Sequence, residues 1–504
     1  MDMELQRTQL GDWRPIYETM VCQEETLESI VPDAMPDMVR IVQAEATALL
    51  RQKEAAENSV RVTGTARTAI LYVPEGNGEP CVLEVNLPFL IHSEHAGLHG
   101  DCMVMTELKV IGADAQMLNP RKVLVRVELV ARLMVYGEER RLITAGVVSE
   151  EEHLQVLQEV QKDYSTADIM AKAFTFSDVL QIPSSRPRPE RLLYCKARCG
   201  TAEAKVIGRK LVVKGQVELT ALYWGGDSVA AMRCELPFSQ VVETRLDGEE
   251  CVAVAGAVLT GIHCRLREDG EIEVSLDMML QAVVEHERTL TLMTDLYSTA
   301  HSLTVRREDV PLTMLQDRGE LRQMVRQMCP AALAVRQVLD CTFTVGTLSQ
   351  SPQGTGMMTV TAMTYANVLY LTEENELCAA SYTIPASCEL SVPEGCCCDC
   401  TCALAGESSV MPVSDGMDVR FEVLFSYRVM RDYTVSAVSS AQLHEEEAES
   451  QPRPSVIVRK AATGERLWDM AKECGSTVDA IRRANDLDGE EVPSGAVLLI
   501  PRSR

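Results

Sequence analysis

One arrangement of residues occurs three times along this chain and constrains its fold more than any other feature. The clearest copy is Leu211–Phe238, where Leu-Val-Val-Lys-Gly-Gln-Val-Glu-Leu-Thr-Ala-Leu-Tyr leads on to Leu236-Pro237-Phe238. Val213 and Val217 alternate with Lys214 and Glu218 as in a half-buried strand, and a lone glycine interrupts the run. An earlier copy runs from Val60-Arg61-Val62-Thr63-Gly64 through Ile70-Leu71-Tyr72 to Leu87-Pro88-Phe89. A later one runs from Val360-Thr361-Ala362 through Val368-Leu369-Tyr370 to Ile384-Pro385. Gly64 to Tyr72, Gly215 to Tyr223 and Ala362 to Tyr370 each span eight residues. Pro36 stands 28 residues before Gly64, and Pro187 stands 28 before Gly215. Shared spacing of this kind marks a repeated unit.

Each copy closes on a further alternating strand, at Val123–Val135, Ile272–Val284 and Val419–Val429. A tyrosine then follows, in Tyr164-Ser165-Thr166-Ala167, Tyr297-Ser298-Thr299-Ala300 and Asp432-Tyr433-Thr434. These marks divide the chain into β-rich units at 1–164, 165–297 and 298–442. Residues 1–26 form a polar lead-in that can supply an edge strand. The segment Met38–Lys53 has helical propensity, but its counterpart Leu192–Arg198 alternates like a strand, and strand is the reading for both. Glu150–Gln161 carries Leu154, Leu157 and Val160 at helical spacing behind a run of carboxylates, which predicts a short connecting helix.

Beyond the third unit the composition changes. His444-Glu445-Glu446-Glu447-Ala448-Glu449 and the prolines Pro452 and Pro454 have no apolar period, so 443–454 reads as a solvated linker. Residues 455–502 then read as a small βααβ module. Its strands are Ser455–Val458 and Val497–Pro501. Its helices are Glu465–Glu473 and Thr477–Ala484, with Ser476 placed to cap the second. The expected fold class is therefore mainly β, with three tandem β-rich repeat domains followed by a small α+β module.

Composition narrows the function. With 74 acidic against 48 basic residues the net charge is −26, which disfavours nucleic acid or an anionic membrane as the main partner. No run of about 18 apolar residues is present to cross a bilayer. The start, Met1-Asp2-Met3-Glu4-Leu5, has neither a basic segment nor an apolar core, so no signal peptide is expected. The 18 cysteines are scattered through apolar strands and read as small buried hydrophobes in a reducing compartment.

Two clusters invite a metal reading. Cys396, Cys398, Cys400 and Cys402 alternate onto one face of an extended strand, and thiolates so close can hold zinc. No second ligand pair stands at finger-like spacing, so core packing is favoured for Cys398, Cys400 and Cys402. His92, His95, His99 and Cys102 form the other set, but its counterpart in the second copy has no histidine, and surface histidines are the simpler reading. No phosphate loop or nucleophile elbow is present, and no cofactor is expected.

The C-terminal module resembles a LysM domain at Gly464, Leu467, Trp468, Ala471, Ile481, Asn485, Leu487, Gly495, Leu498, Ile500 and Pro501. It departs where Gly464-Glu465-Arg466 replaces Gly-Asp-Thr and where the first strand lacks an aromatic. The three units resemble the SipL-type spore coat assembly (SPOCS) domain, in the strand with glycine, the Leu-Tyr, the Pro-Phe and the Tyr-Ser. The third is degraded, with Ala362 for the glycine and Ala386 where phenylalanine is expected. This resemblance implies work in the mother-cell cytoplasm at the forespore surface, where such proteins help localise coat by binding the coat ATPase SpoIVA, with LysM contributing. The first reading is thus a non-enzymatic scaffold docking a SpoIVA-like ATPase and other coat proteins. The second is a peptidoglycan or cortex glycan binder acting through LysM. An enzyme with its site in the β units comes third. The candidate binding face is Gly464, Glu465, Arg466, Leu467, Asn485, Asp486 and Leu487, where the Arg466 fork suits protein carboxylates better than a neutral sugar.

Overall fold

In the computed structural model, residues 3–76, 79–148, 153–246, 251–447, 454–487, 489, 492 and 495–502 are described. The protein is nearly all β. Its first eighteen strands fall into three groups of six that share one pairing scheme.

The first group comprises β1 (Leu5–Ile30), β2 (Met38–Ala56), β3 (Ser59–Pro74), β4 (Cys81–Glu94), β5 (Met103–Asn119) and β6 (Lys122–Val147). The second comprises β7 (Leu154–Leu180), β8 (Arg191–Ile207), β9 (Lys210–Gly225), β10 (Ser228–Glu243), β11 (Cys251–Leu266) and β12 (Ile272–Ser298). The third comprises β13 (His301–Cys329), β14 (Val335–Pro352), β15 (Met357–Thr372), β16 (Leu377–Ser391), β17 (Cys397–Val413) and β18 (Gly416–Glu447). In each group the second, third and fourth strands make one antiparallel sheet, and the last strand pairs with both the first and the fifth to make another. The long sheets of the first two groups join where Trp13 of β1 meets Thr166 of β7.

Alternation builds the cores. Val60, Val62, Ala66 and Ile70 of β3 face Val123, Val125, Val127 and Leu129 of β6. In the second group Val217, Leu219 and Ala221 of β9 meet Ile272, Val274, Leu276 and Met278 of β12. Burial of this kind is worth about 1.5–3 kcal/mol per large aliphatic side chain.

The repeated glycine has a specific partner. Gly64 pairs with Phe89, and Gly215 with Phe238, across their ladders. A β carbon on Gly215 would stand 2.5 Å from Phe238 Cζ, and one on Gly64 would overlap both the Phe89 ring and the Leu49 carbonyl. In the third group the same cross-strand pair is Ala362 with Ala386. The aromatic mass there comes from Phe343 and Phe421, whose rings pack 5.5 Å apart in the same core. Gly64→Ala is therefore expected to cost about 1–3 kcal/mol in denaturant melts, because a carbonyl cannot swing aside. Gly215→Ala should cost less, since only a ring must move. Equal costs at the two sites would show that ring contact alone sets the requirement.

The groups also close on one another in a cycle. β11 of the second lies against β2 of the first, β5 of the first against β14 of the third, and β17 of the third against β8 of the second. At the centre, register places Gln43, Tyr194 and Asp340 opposite Leu71, Leu222 and Leu369 respectively. These three leucines are fully buried and share one cluster. Beside them Lys196 reaches Glu45 at 3.4 Å and Asp340 at 2.5 Å, so one ammonium ties together all three groups.

Several expectations are corrected. The lead-in does supply a strand, but a longer one than expected: β1 runs to Ile30 and pairs with β6 along its whole length. Residues 154–161, expected to be helical, belong to β7 and pair with β12; residues 150–152 lie outside the described residues. The limit drawn at 164 falls inside β7, because Tyr164 sits in a first strand while Tyr297 sits near the end of a last one. The linker expected at 443–454 begins inside β18, which continues to Glu447, and 448–453 lie outside the described residues.

Candidate functional site

The C-terminal module comprises β19 (Val456–Lys460), α1 (Leu467–Cys474), α2 (Val478–Ala484) and β20 (Val497–Pro501), with β19 and β20 antiparallel. Leu467, Met470, Ala471, Ile481, Leu498 and Ile500 form its core. Gly475 ends α1 in the left-handed conformation at φ 65°, where its missing Cβ removes the steric cost. The N-cap of α2 is Thr477 rather than Ser476, its hydroxyl accepting from Ala480 N at 3.1 Å. The Ser476 hydroxyl instead donates to the Pro501 carbonyl at 2.5 Å, tying the helix entry to the last strand.

This module is seated on the second group through α1. Trp468 is buried, its indole N–H donates to Asp295 Oδ2 at 2.9 Å, and its ring meets Tyr297 edge-on at 4.9 Å. Lys472 Nζ reaches the same carboxylate at 2.7 Å, and Arg307 of β13 reaches it at 2.5 Å. The Tyr297 hydroxyl donates to the Ser476 carbonyl at 2.9 Å. Burial opposes the charge of Asp295, but the hydrogen bonds from Lys472 and Trp468 outweigh it and hold the carboxyl below its usual range. A carboxyl so depressed contributes stability above its unfolded pKa of about 4, and that contribution is lost as pH falls through the folded value. The seat therefore holds at neutral pH and loosens on acidification, as the carboxylate is protonated.

Asp295→Ala is expected to release the module by removing charged hydrogen bonds worth about 1.5–3 kcal/mol each at most. The indole of Trp468 would then meet water, giving red-shifted emission relative to the parent chain. Unchanged emission from Trp468, with Trp13 and Trp224 replaced by Phe, would show that the seat does not depend on this carboxylate.

Trp468, one of the positions that resemble LysM, is buried, and its polar and ring partners lie in the second group. No local signal pointed to Asp295, because its partner is 173 residues away. Of the seven residues expected to form the binding face, several are engaged within the module. Leu467 is core, and Leu487 packs against it. Glu465 accepts from Ala462 N at 2.9 Å and also pairs with Arg459. Asn485 donates to Leu499 O and accepts from Leu499 N, both at 2.7 Å, so it clips the outer edge of β20. Gly464, Arg466 and Asp486 remain exposed. Arg466 pairs with Asp469 at 3.1 Å and lies 4.0 Å from Glu159 of β7.

The cysteine run lies along β17. Cys400 and Cys402 are buried in the third core, with Cys398 packed against it. Burial pushes the thiols of Cys398 and Cys402 up to about 11 and that of Cys400 up to about 12, so at neutral pH they are thiols rather than thiolates. On the other face Asp399 bridges Arg132 of β6, at 2.8 Å, and Arg428 of β18. It borders a cleft of about 570 Å³ between the first and third groups. His95 stacks on Tyr17 at 4.6 Å, His92 approaches Glu94 and His99 approaches Asp101, so the histidines do not converge. Among the described residues no three His, Cys, Asp or Glu side chains gather closely enough to hold a metal ion. Nor is any helix among them long and apolar enough to cross a membrane.

Residues 189–264 match the family model for the SPOCS domain of SipL. The match spans β8 to β11, the stretch that holds the glycine, Leu-Tyr and Pro-Phe landmarks of the second group. It makes the chain SipL-like and points to a role in spore coat assembly. No curated protein and no solved structure matches the chain.

Proposed function

We propose that this SipL-like chain is a non-enzymatic scaffold of spore coat assembly, working in the mother-cell cytoplasm at the forespore surface. It docks a coat morphogenetic ATPase resembling SpoIVA, together with other coat proteins. All three six-stranded groups are SPOCS domains in this reading, and the C-terminal module is a LysM domain that contacts protein. The observation that carries it is the SPOCS match in the second group, set beside a pairing scheme that recurs strand for strand in the first and third.

The use of charge supports the same reading. Lys196 with Glu45 and Asp340, Arg288 with Asp12 and Asp163, and Arg132 with Asp399 all bridge different groups. Their work is to hold the groups in fixed relation, as a platform for several weak contacts needs. Seating of α1 on Asp295 extends that platform to the last module.

Immunoprecipitation of the full chain from sporulating cells is expected to recover the coat ATPase. A chain lacking 455–502 should recover less of it. Recovery of cortex glycan without coat protein, lost on the same truncation, would favour the glycan-binding reading instead.

A further inference from the structure

The C-terminal module has two sides with opposite fates. Its helical side is consumed: α1 gives Leu467, Met470 and Ala471 to the module's own core and Trp468 and Lys472 to Asp295. The outer face of its two-stranded sheet carries exposed aliphatic side chains. Val456 and Val458 of β19 and Val497 and Leu499 of β20 are 48%, 63%, 64% and 45% exposed. Register puts Val458 opposite Leu499 and Val497 opposite Lys460, so the four aliphatic side chains form one contiguous strip. Isolated exposed aliphatics need no explanation, but four gathered on a module this small mark a contact surface.

We infer that this strip is the docking surface through which the module grips a protein partner, one presenting an apolar patch bordered by carboxylates. Charge selects that occupant. β19 and β20, Val-Ile-Val-Arg-Lys and Val-Leu-Leu-Ile-Pro, carry no acidic residue. Lys460 extends the strip at one end, and Arg502 stands exposed at the other, hydrogen-bonded through its N–H to the Ser455 carbonyl. In a chain of net charge −26 this is a locally basic rim around an apolar centre. A second copy fits poorly, because a two-fold pairing brings basic ends together and sets −26 against −26. An extended anionic membrane fits poorly too, because it repels the whole chain, whereas a compact acidic rim acts within a Debye length of about 8–10 Å. The contact is made by the face rather than by strand addition, since the Asn485 amide already occupies the β20 edge at Leu499. Seating α1 on the second group turns this face outward.

The identity of the partner rests on the proposed function, so the probe is the purified coat ATPase, titrated against the full-length chain. Val458→Glu and Leu499→Glu alter exposed positions and should leave the melting temperature unchanged. Each is expected to weaken binding at least about tenfold, equivalent to about 1.4 kcal/mol. Ile207→Glu, at an equally exposed aliphatic residue of the second group, should bind as the parent does. Parent-like binding by both strip variants would overturn the inference while leaving the scaffold reading intact. Failure of the parent chain to bind the ATPase would overturn the scaffold reading and this surface with it. Light scattering and flotation with phosphatidylserine–phosphatidylcholine vesicles complete the test. Dimers or vesicle binding abolished by the same two changes would assign the strip to a second copy or to lipid, and refute a protein partner.

Discussion

Replacing Lys196 by methionine is expected to cost the fold about 3–5 kcal/mol at neutral pH, the effect of breaking a buried ion pair from one side. Its side chain is 12% exposed, so solvent screening does little to soften the loss. Burial disfavours the ammonium, but Asp340 and Glu45 outweigh it and keep it protonated. Lys196 in turn holds Asp340 ionised against burial, with help from Arg233 at 3.0 Å. Glu45 is pushed up by burial and further by Asp340, with Lys196 opposing both. Without the ammonium Glu45 would rise further above its unfolded value, while Asp340 would keep Arg233 as its one remaining cation. A buried acid raised in this way contributes stability below the unfolded pKa, which is lost as pH rises through the folded pKa. The variant should therefore recover part of its deficit at pH 5 relative to pH 7. A deficit independent of pH would mean that lost packing, rather than stranded charge, sets the cost.

Leu222→Ala is expected to cost about 2–5 kcal/mol through lost transfer energy and the cavity left behind. Leu222 is fully buried and shares its cluster with Leu71 and Leu369, one leucine from each group. The damage should therefore spread beyond the second group. Hydrogen exchange is expected to accelerate in β3 and β15 as well as in β9. Faster exchange confined to β8, β9 and β10 would show that the central cluster does not couple the groups. A cost below about 1 kcal/mol would mean that the leucine faces a site able to collapse around the change.

Strand alternation made much of the fold legible. β3, β9 and β15 follow the period-two pattern, and the landmarks Gly215 and Phe238 turned out to be one cross-strand contact. The first strand of each group was harder to read. β7 pairs with β12 and also meets β1 and the C-terminal module, so its apolar residues do not keep to one face. Leu154, Leu157 and Val160 then mimic helical spacing, although Val160 is 68% exposed. β1 was legible only as a polar lead-in able to supply an edge strand, for a related reason: its many polar residues lie where pairing with β6 rather than burial fixes the strand. At the candidate site the fold of the module was legible from Gly464, Asn485, Gly495 and the apolar positions of its helices. Its seat was not, because Asp295 gains its meaning only when the chain brings Trp468, Lys472 and Arg307 around it. The exposed strip was hidden for the opposite reason. Val456, Val458, Val497 and Leu499 look like ordinary strand core until the structure shows them exposed.

The most direct test is a paired equilibrium titration of the full-length chain, once with the purified coat ATPase and once with soluble peptidoglycan fragments. A protein-docking scaffold should bind the ATPase saturably, weaken on removal of 455–502, and show no saturable response to glycan. Tight binding of the fragments that the ATPase does not alter, with no measurable affinity for the ATPase itself, would contradict it.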